Sequence, residues 1–359
     1  MVAAGRAHSI LLRDDGMAVT FGDNDAAQCE VPPLPPGRRY VVACASEDMT
    51  VLLRDDGAII ASGSDDGHGL CAFLDAPREN VGAQRSQRYA AVAAKGWHAV
   101  MLQEDGAPKA LGRNQDRECM LPELPRGVQC RGVAAGRYHS VLVLDSGDAV
   151  ACGRNREGQC QVPARPVGTS YVEAAAGQGH TVLLRSDGCV VAFGDNSEGQ
   201  AEVQELPPAE RYIGVAAGDS HTVLLRSDGV ALAFGNDELG QCMLPALPHG
   251  IRYVAAACGR RHTVLLRDDG QAVACGDVRK GQTRVPLLPD GMRYVACAAP
   301  ILVPWSDKNH KGFPAAVRQL VVFLLLWQRR RADEGVPSLG DLLVSRVLPL
   351  AVPARLAVS

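Results

Sequence analysis

The chain of 359 residues has a formal net charge of −3, from 37 basic and 40 acidic side chains, and contains 12 cysteines. This balance, without a basic arm, argues against nucleic acid as a partner, because phosphates are bound through an excess of Lys and Arg. The N-terminal residues MVAAGRAHS lack the apolar core of a signal peptide. We therefore expect a cytoplasmic or nuclear protein with reduced thiols and no transmembrane segment.

One segment of about 41 residues is repeated from the N-terminus to about residue 299, and a histidine marks its register. Met49 replaces this histidine in the second copy and lies 49 residues before the next marker, so this interval carries about eight extra residues. The marker histidines are His8, His98, His139, His180, His221 and His262. A turn glycine follows each marker, at Gly16, Gly57, Gly106, Gly147, Gly188, Gly229 and Gly270. Seven copies of one period are typical of stacked or radial repeat folds.

Each copy divides into short strands, and the fifth copy illustrates them. Tyr171–Ala176, His180–Arg185 and Cys189–Phe193 are predicted strands. The residues between the last two, Arg185–Gly188, predict a tight hairpin turn in which the glycine takes a positive φ. A shorter fourth strand is predicted in the segments that lead to Pro163, Pro245 and Pro286, where proline suits a sheet edge.

Strands such as Thr181–Leu184 are apolar on both sides of the pleat, which indicates that both faces of each small sheet are buried. One unit alone cannot bury such surfaces, whereas a radial array of blades can. We therefore predict an all-β fold, a seven-bladed β-propeller over residues 1–299. The chain begins inside its first blade, at Val2–Gly5, and we expect the last strand, near Tyr294–Ala299, to return and complete that blade.

The extra residues of the second interval form a polar insertion, Phe73–Arg88. We expect a surface loop there; the alternative is a loop that contacts a partner. The loop positions also differ between copies, so one face of the ring could be chemically distinctive. The candidate partner-binding residues are Arg78, Glu79, Arg85, Arg88, Trp97, Arg113 and Arg154.

The repeat ends at Pro300. Residues 300–312 are a predicted linker, and residues 313–359 a predicted tail of two helices, Ala315–Arg331 and a second that begins at Ser338. The apolar run Leu320–Trp327 is too short to span a bilayer. We expect the helices to dock on the propeller or on a partner; the alternative is that they lie on a membrane surface.

The marker histidines invite a catalytic or metal-binding interpretation, but one histidine per blade cannot converge on a single ion. We instead predict buried histidines that satisfy backbone groups between strands. The sequence has no glycine-rich phosphate loop, nucleophile elbow or His-Glu-x-x-His helix. We therefore expect no catalytic residues, no metal and no cofactor.

The segment Val215–Cys242 resembles the repeats of the regulator of chromosome condensation superfamily. The shared pattern is Gly-x-x-His-Ser/Thr, an Asp-Gly turn, Gly-x-Asn and Gly-Gln. The compact period is also similar to that of beta-lactamase inhibitor protein II, which implies the same seven-bladed design. The founding member is a guanine-nucleotide exchange factor that uses one face and an inserted wedge, and here only Phe73–Arg88 could be the counterpart of that wedge. Plant ultraviolet-B receptors of this fold need clustered tryptophans, whereas this ring holds only Trp97.

Three functions are compatible with these observations. The leading hypothesis is a non-enzymatic platform whose loops bind another protein. The second is a guanine-nucleotide exchange factor for a small GTPase. The third is a substrate-binding adaptor or fragment in a ubiquitin-ligase system that uses the tail helices.

Overall fold

A computed structural model of the chain describes residues 1–71, 88–208, 210–289 and 291–295. Its strands form seven three-stranded antiparallel sheets, each a meander of consecutive strands. The strands are β1 (Val2–Ala4), β2 (His8–Leu12) and β3 (Ala18–Gly22) in blade 1; β4 (Tyr40–Ala45), β5 (Met49–Arg54) and β6 (Ile59–Gly63) in blade 2; β7 (Tyr89–Lys95), β8 (His98–Gln103) and β9 (Pro108–Gly112) in blade 3; β10 (Cys130–Ala135), β11 (His139–Leu144) and β12 (Ala149–Gly153) in blade 4; β13 (Tyr171–Ala176), β14 (His180–Arg185) and β15 (Val190–Gly194) in blade 5; β16 (Tyr212–Ala217), β17 (His221–Arg226) and β18 (Ala231–Gly235) in blade 6; and β19 (Tyr253–Cys258), β20 (His262–Arg267) and β21 (Ala272–Gly276) in blade 7. First strands of neighbouring blades contact one another, as the inner strands of a propeller do. The predicted seven-bladed propeller is confirmed.

Middle strands carry the core, because each one packs against both neighbouring blades. On β14, Val182 and Leu184 pack with Tyr212 and Leu224 of blade 6. Leu183, on the opposite side of the same strand, packs with residues of blade 4. Each fully buried aliphatic side chain stabilises the fold by about 1.5–3 kcal/mol. Two-sided burial therefore explains the apolar character of both sides of these strands.

The hairpin between the second and third strands has the predicted glycine geometry. All seven turn glycines have φ values between +79° and +88°, the left-handed region that favours glycine. In the turn of blade 5, the Asp187 carboxylate accepts hydrogen bonds from the backbone N–H of Cys189 and from the Arg185 side chain. These bonds hold a three-residue loop that ends in the left-handed glycine.

The prediction of a fourth strand in each blade is wrong. The segments that lead to Pro163, Pro245 and Pro286 contain no strand. Their proline carbonyls instead accept hydrogen bonds from tyrosine hydroxyls eight residues later, as Tyr171 does to Pro163 at 3.0 Å. Proline has no N–H to give to a ladder, so a side-chain bond holds this segment where a strand would need backbone donors.

Replacing Tyr171 with Phe should lower the free energy of unfolding by about 1 kcal/mol, the usual net value of one hydrogen bond. Urea unfolding of the purified protein measures the change. Tyr212→Phe removes the equivalent bond to the Gln204 carbonyl, 2.8 Å long, and should cost a similar amount. Unchanged stability in both variants would contradict this role of the hydroxyl.

The two ends of the ring meet in blade 1. Tyr294 bridges Arg13, and the backbone N–H of Val295 donates to the carbonyl of Leu12. The next places along β2 are already taken, because Val2–Ala4 pairs with Leu11, Ile10 and Ser9. Of the predicted strand Tyr294–Ala299, Tyr294 and Val295 take part in blade 1 together with the N-terminal β1, and residues 296–299 lie outside the described residues.

Several sequence predictions lie outside the described residues. They are residues 73–87 of the insertion, the linker 300–312 and the two-helix tail 313–359. Residues 1–71, 88–208, 210–289 and 291–295 contain no helix of membrane-spanning length and hydropathy. The described cysteines all carry free thiols.

Candidate protein-binding face

Two faces of the ring differ in their chemistry. The polar face carries the short connection between the first and second strands of each blade and the loop after the third strand; in blade 4 these are residues 136–138 and 154–159. A hydrogen bond of 2.9 Å from the backbone N–H of Arg154 to the carbonyl of Tyr138 links the two segments. The turn face carries the Asp-Gly hairpins. The predicted histidines belong to the polar face, as do Trp97, Arg113 and Arg154 among the four predicted contact residues that the structure describes.

Marker histidines form hydrogen bonds between blades. His180 Nε2 lies 3.0 Å from the hydroxyl of Thr222 in the next blade, and this hydroxyl donates to the carbonyl of Gln200. Because its one hydrogen is used in that bond, the hydroxyl accepts from Nε2–H. The six pairs are His8–Thr50, His98–Ser140, His139–Thr181, His180–Thr222, His221–Thr263 and His262–Ser9. The prediction that these rings satisfy backbone groups is therefore corrected, since their partners are side-chain hydroxyls one blade away.

Burial keeps these histidines neutral. Each ring is 0 % exposed, and this loss of hydration lowers the pKa to about 4 for His8 and His98 and to about 3 for the other four. Within the part of the chain that the structure describes, no group of His, Cys, Asp and Glu is arranged to hold a metal ion. The marker histidines stabilise the joints between blades.

The joint between blades 2 and 3 has an apolar version of this contact. Met49 stands in the histidine slot, Ala99 in the hydroxyl slot and Leu70 in the slot of Gln200. All three are buried in one hydrophobic cluster. Because the histidine and the hydroxyl residue are replaced together, no polar side chain of this contact is left without a partner.

Charged side chains compensate one another near the axis on the polar face. Arg137 lies 3.0 Å from Asp219 and 3.5 Å from Glu47, and Arg260 lies 3.5 Å from the same Asp219. Glu47 is buried, and burial raises its pKa despite the arginines around it. The guanidinium groups near the axis are therefore already engaged by carboxylates.

Sequence analysis missed Lys95, which links distant blades. Its ammonium group donates to the carbonyls of Ala217 at 2.7 Å and Ala176 at 3.3 Å, and burial lowers its pKa. The same slot is glycine in five other blades, because a Cβ there would collide with the marker ring, as it would at Gly218. In blade 3 a tight turn with Gly96 at φ +60° accommodates the lysine. A lysine at a repeat position that is glycine in five other blades was the feature of the sequence that could have identified this site.

The polar face carries a cluster of aromatic and guanidinium groups around Tyr138. The guanidinium carbons of Arg113, Arg154 and Arg137 lie 5.0, 5.1 and 5.5 Å from the centre of the Tyr138 ring, within the range of cation–π attraction. Trp97 occupies the slot of Tyr138 one blade earlier, and its carbonyl accepts the backbone N–H of Arg113. These five residues are called the Tyr138 cluster, and they include three predicted contact residues.

The other predicted contact residues do not join this cluster. Arg88 lies on the turn face, where its Nε donates to the carbonyl of Asp56 at 3.0 Å. Arg78, Glu79 and Arg85 lie outside the described residues. Tyr138 and Arg137 were missed by the sequence analysis, although Tyr138 directly precedes its marker histidine, as Trp97 does.

The turn face presents an apolar arc near the axis. Val172, Ile213 and Val254 share one slot at the start of the first strand of blades 5, 6 and 7, and their exposed fractions are 37, 53 and 38 %. A bulge after the preceding tyrosine turns these side chains out of the ladder. The apolar arc therefore lies on the face opposite the Tyr138 cluster.

Comparison with known proteins identifies the repeat. Residues 130–159, 171–200, 212–241 and 253–282 match the family model of the regulator of chromosome condensation (RCC1) repeat. Among solved structures, Prp20p from Saccharomyces cerevisiae is similar with a TM-score of 0.62 and 18% identity, over 79% of this chain and 83% of that chain. The ectodomain of the Physcomitrella patens receptor kinase CR4 is similar with a TM-score of 0.56 and 18% identity, over 77% of this chain and 73% of that one. No curated protein matches the chain. These likenesses agree with a propeller of RCC1 repeats.

Proposed function

We propose that this RCC1-repeat propeller is a non-enzymatic platform that binds a protein partner on its polar face. The observation that carries the proposal is the Tyr138 cluster, in which three Arg side chains surround the Tyr138 ring and Trp97 lies on the neighbouring loop of blade 3. Trp, Tyr and Arg are the residue types enriched among the few residues that dominate binding at protein interfaces. The repeated backbone positions them, and the differences between copies make this part of the face distinctive.

The loops after the third strands differ in charge from blade to blade, and this difference favours one orientation of the bound partner. These loops are acidic in blades 1, 2, 5 and 6, with pairs such as Asp195 and Glu198 or Asp237 and Glu238. The loops of blades 4 and 7 are basic, with Arg154 and Arg156 against Glu157 in blade 4, and Arg279 and Lys280 against Asp277 in blade 7. Complementary potentials steer association and select the orientation of a partner. A partner would therefore meet a basic, aromatic region on a largely acidic face.

Support for a non-enzymatic role comes from what the polar groups already do. The marker histidines are buried, and their Nε2 atoms bond to hydroxyl groups. Arg137 and Arg260, near the axis, are paired with carboxylates. These side chains are committed to the fold, so the face offers contacts for binding in place of a reacting group.

A similar solved structure also supports a protein partner, because that protein binds other proteins. Yeast Prp20p, at 18% identity, is described by its binding to Gsp1p and histones. The nucleotide-exchange and ubiquitin-ligase hypotheses depend on residues 73–87 and 313–359, which lie outside the described part of the chain. They stay predictions, as does a cytoplasmic or nuclear location.

The test is affinity purification from the native cell with the full chain and matched variants on the two faces. Trp97→Ala and Tyr138→Ala should lose the main partner, because they remove the aromatic anchors. Ile213→Ser, on the opposite face, should retain it, and thermal unfolding checks that all three are folded. Retention by both polar-face variants together with loss by Ile213→Ser would overturn the proposal. If the captured partner is a small GTPase, the release of its bound nucleotide tests exchange directly.

A further inference from the structure

Arg113 and Arg154 occupy the same repeat position in blades 3 and 4, and both lie beside Tyr138. Only Arg113 is paired with carboxylates of the described chain. Arg113 donates to Glu118 Oε1 at 2.7 Å and to Asp116 Oδ2 at 2.8 Å. Glu118 is 0 % exposed, so this is a buried ion pair. The fold thus shows that a guanidinium in this slot binds a carboxylate.

In blade 4 that carboxylate is absent from the chain. Gln159 stands in the slot of Glu118, and its neutral amide oxygen accepts the backbone N–H of Glu157 at 3.0 Å. Glu118 makes the equivalent bond to the N–H of Asp116 at 2.8 Å and still has an oxygen for Arg113. Among the described residues, the Arg154 guanidinium has its contact with the Tyr138 ring and no ion pair.

The Tyr138 ring holds Arg154 ready for an anion. A guanidinium that lies against an aromatic ring keeps its N–H donors free at its edge, and two of them match the oxygens of one carboxylate. Because the ring already restricts the side chain, less conformational entropy is lost when an anion binds. Arg156, two residues on, is exposed and adds positive charge to the approach.

We infer that the Tyr138 cluster recognises an acidic segment of a protein, with one Asp or Glu carboxylate bound by Arg154 beside the ring of Tyr138. This inference rests on the proposed function, because it names the chemistry of the partner at the same face. The incoming carboxylate takes the part that Glu118 plays for Arg113. The buried carboxylate of blade 3 and the neutral amide of blade 4 make the two slots a natural pair for comparison.

The test uses a fluorescent peptide of glutamates and a fluorescent glutamine peptide of equal length. The fluorescence anisotropy of each peptide, measured at low salt, reports its binding to the full chain. Arg154→Gln should weaken binding of the glutamate peptide about tenfold, the loss expected when one bidentate charge pair is removed. Gln159→Glu should weaken it by a similar factor, because it supplies Arg154 with an internal carboxylate as in blade 3. Arg156→Gln changes the net charge by the same amount as either variant and should change binding less than about twofold.

Equal losses in all three variants would overturn the inference, because the peptide would then respond only to net charge. Full binding by Gln159→Glu, or equal binding of the glutamine peptide, would also overturn it. Failure of the proposed function is separately visible. If Trp97→Ala and Tyr138→Ala lose the cellular partner but the glutamate peptide does not bind, the proposed protein-binding function stands. The inference that the partner is bound through an acidic segment would then be wrong.

Discussion

Acidification from pH 7 to below pH 5 is expected to unfold the propeller cooperatively. Six marker histidines have a pKa of about 3 or 4 in the fold, against about 6.5 in an unfolded chain. As the pH falls through 6.5, the unfolded chain takes up protons that the folded chain does not, so the free energy of unfolding falls. The stability is complete above pH 6.5 and is lost as the pH falls toward 4.

The expected slope is steep because the six rings act in one cooperative fold. Six extra protons on the unfolded chain correspond to about 8 kcal/mol per pH unit near pH 5. Glu173 acts in the opposite direction, since burial raises its pKa to about 7, and it offsets about 1 kcal/mol per pH unit. Glu47 and Asp48, whose pKa values are also raised by burial, oppose the histidines in the same way. A domain with a total stability of about 5–15 kcal/mol would not survive this loss.

Urea unfolding at a series of pH values between 7.5 and 4.5 measures the slope. The double variant His180→Met with Thr222→Ala removes one of the six rings and should reduce the slope by about 1.4 kcal/mol per pH unit. A free energy of unfolding that stays level between pH 6.5 and 5 in the unmodified chain would show that the histidines are not held neutral by burial.

Loss of a single hydroxyl from one histidine contact is expected to cost about 3 kcal/mol. Thr222→Val keeps the volume of the side chain but leaves the His180 Nε2–H and the Gln200 carbonyl without their partner. A buried polar group without a partner costs about 1–3 kcal/mol, and here there are two. Thr222→Ser is the matched control, because Ser9 and Ser140 serve in the same slot, and it should cost less than about 1 kcal/mol.

The apolar joint between blades 2 and 3 supplies a second control. The triple variant His180→Met, Gln200→Leu and Thr222→Ala copies Met49, Leu70 and Ala99. It should lose less stability than the sum of its three single variants, by about 1 kcal/mol or more, because the residues are in contact and are replaced together. Additive losses in urea unfolding would contradict an energetic coupling across the joint.

The number of blades, the order of the three strands and the geometry of the hairpin turn can all be predicted from the sequence. These features depend on short-range causes that recur in every copy. An apolar run buried on both sides predicts a middle strand such as His180–Arg185, and a glycine after an aspartate predicts the left-handed residue at Gly188. The period then counts the blades, because each copy repeats the same local causes. Trp97, Arg113 and Arg154 could be singled out only as loop residues that differ between copies.

The side-chain contacts between blades follow from the packing of the blades and could not be predicted from the sequence. His180 and Thr222 are 42 residues apart in the chain and are brought together by the packing of one blade on the next. The same packing brings Arg113 of blade 3 to the Tyr138 ring of blade 4, where Arg154 also lies. Local preference cannot specify such contacts, because the energy of a polar side chain depends on partners that arrive from distant parts of the chain.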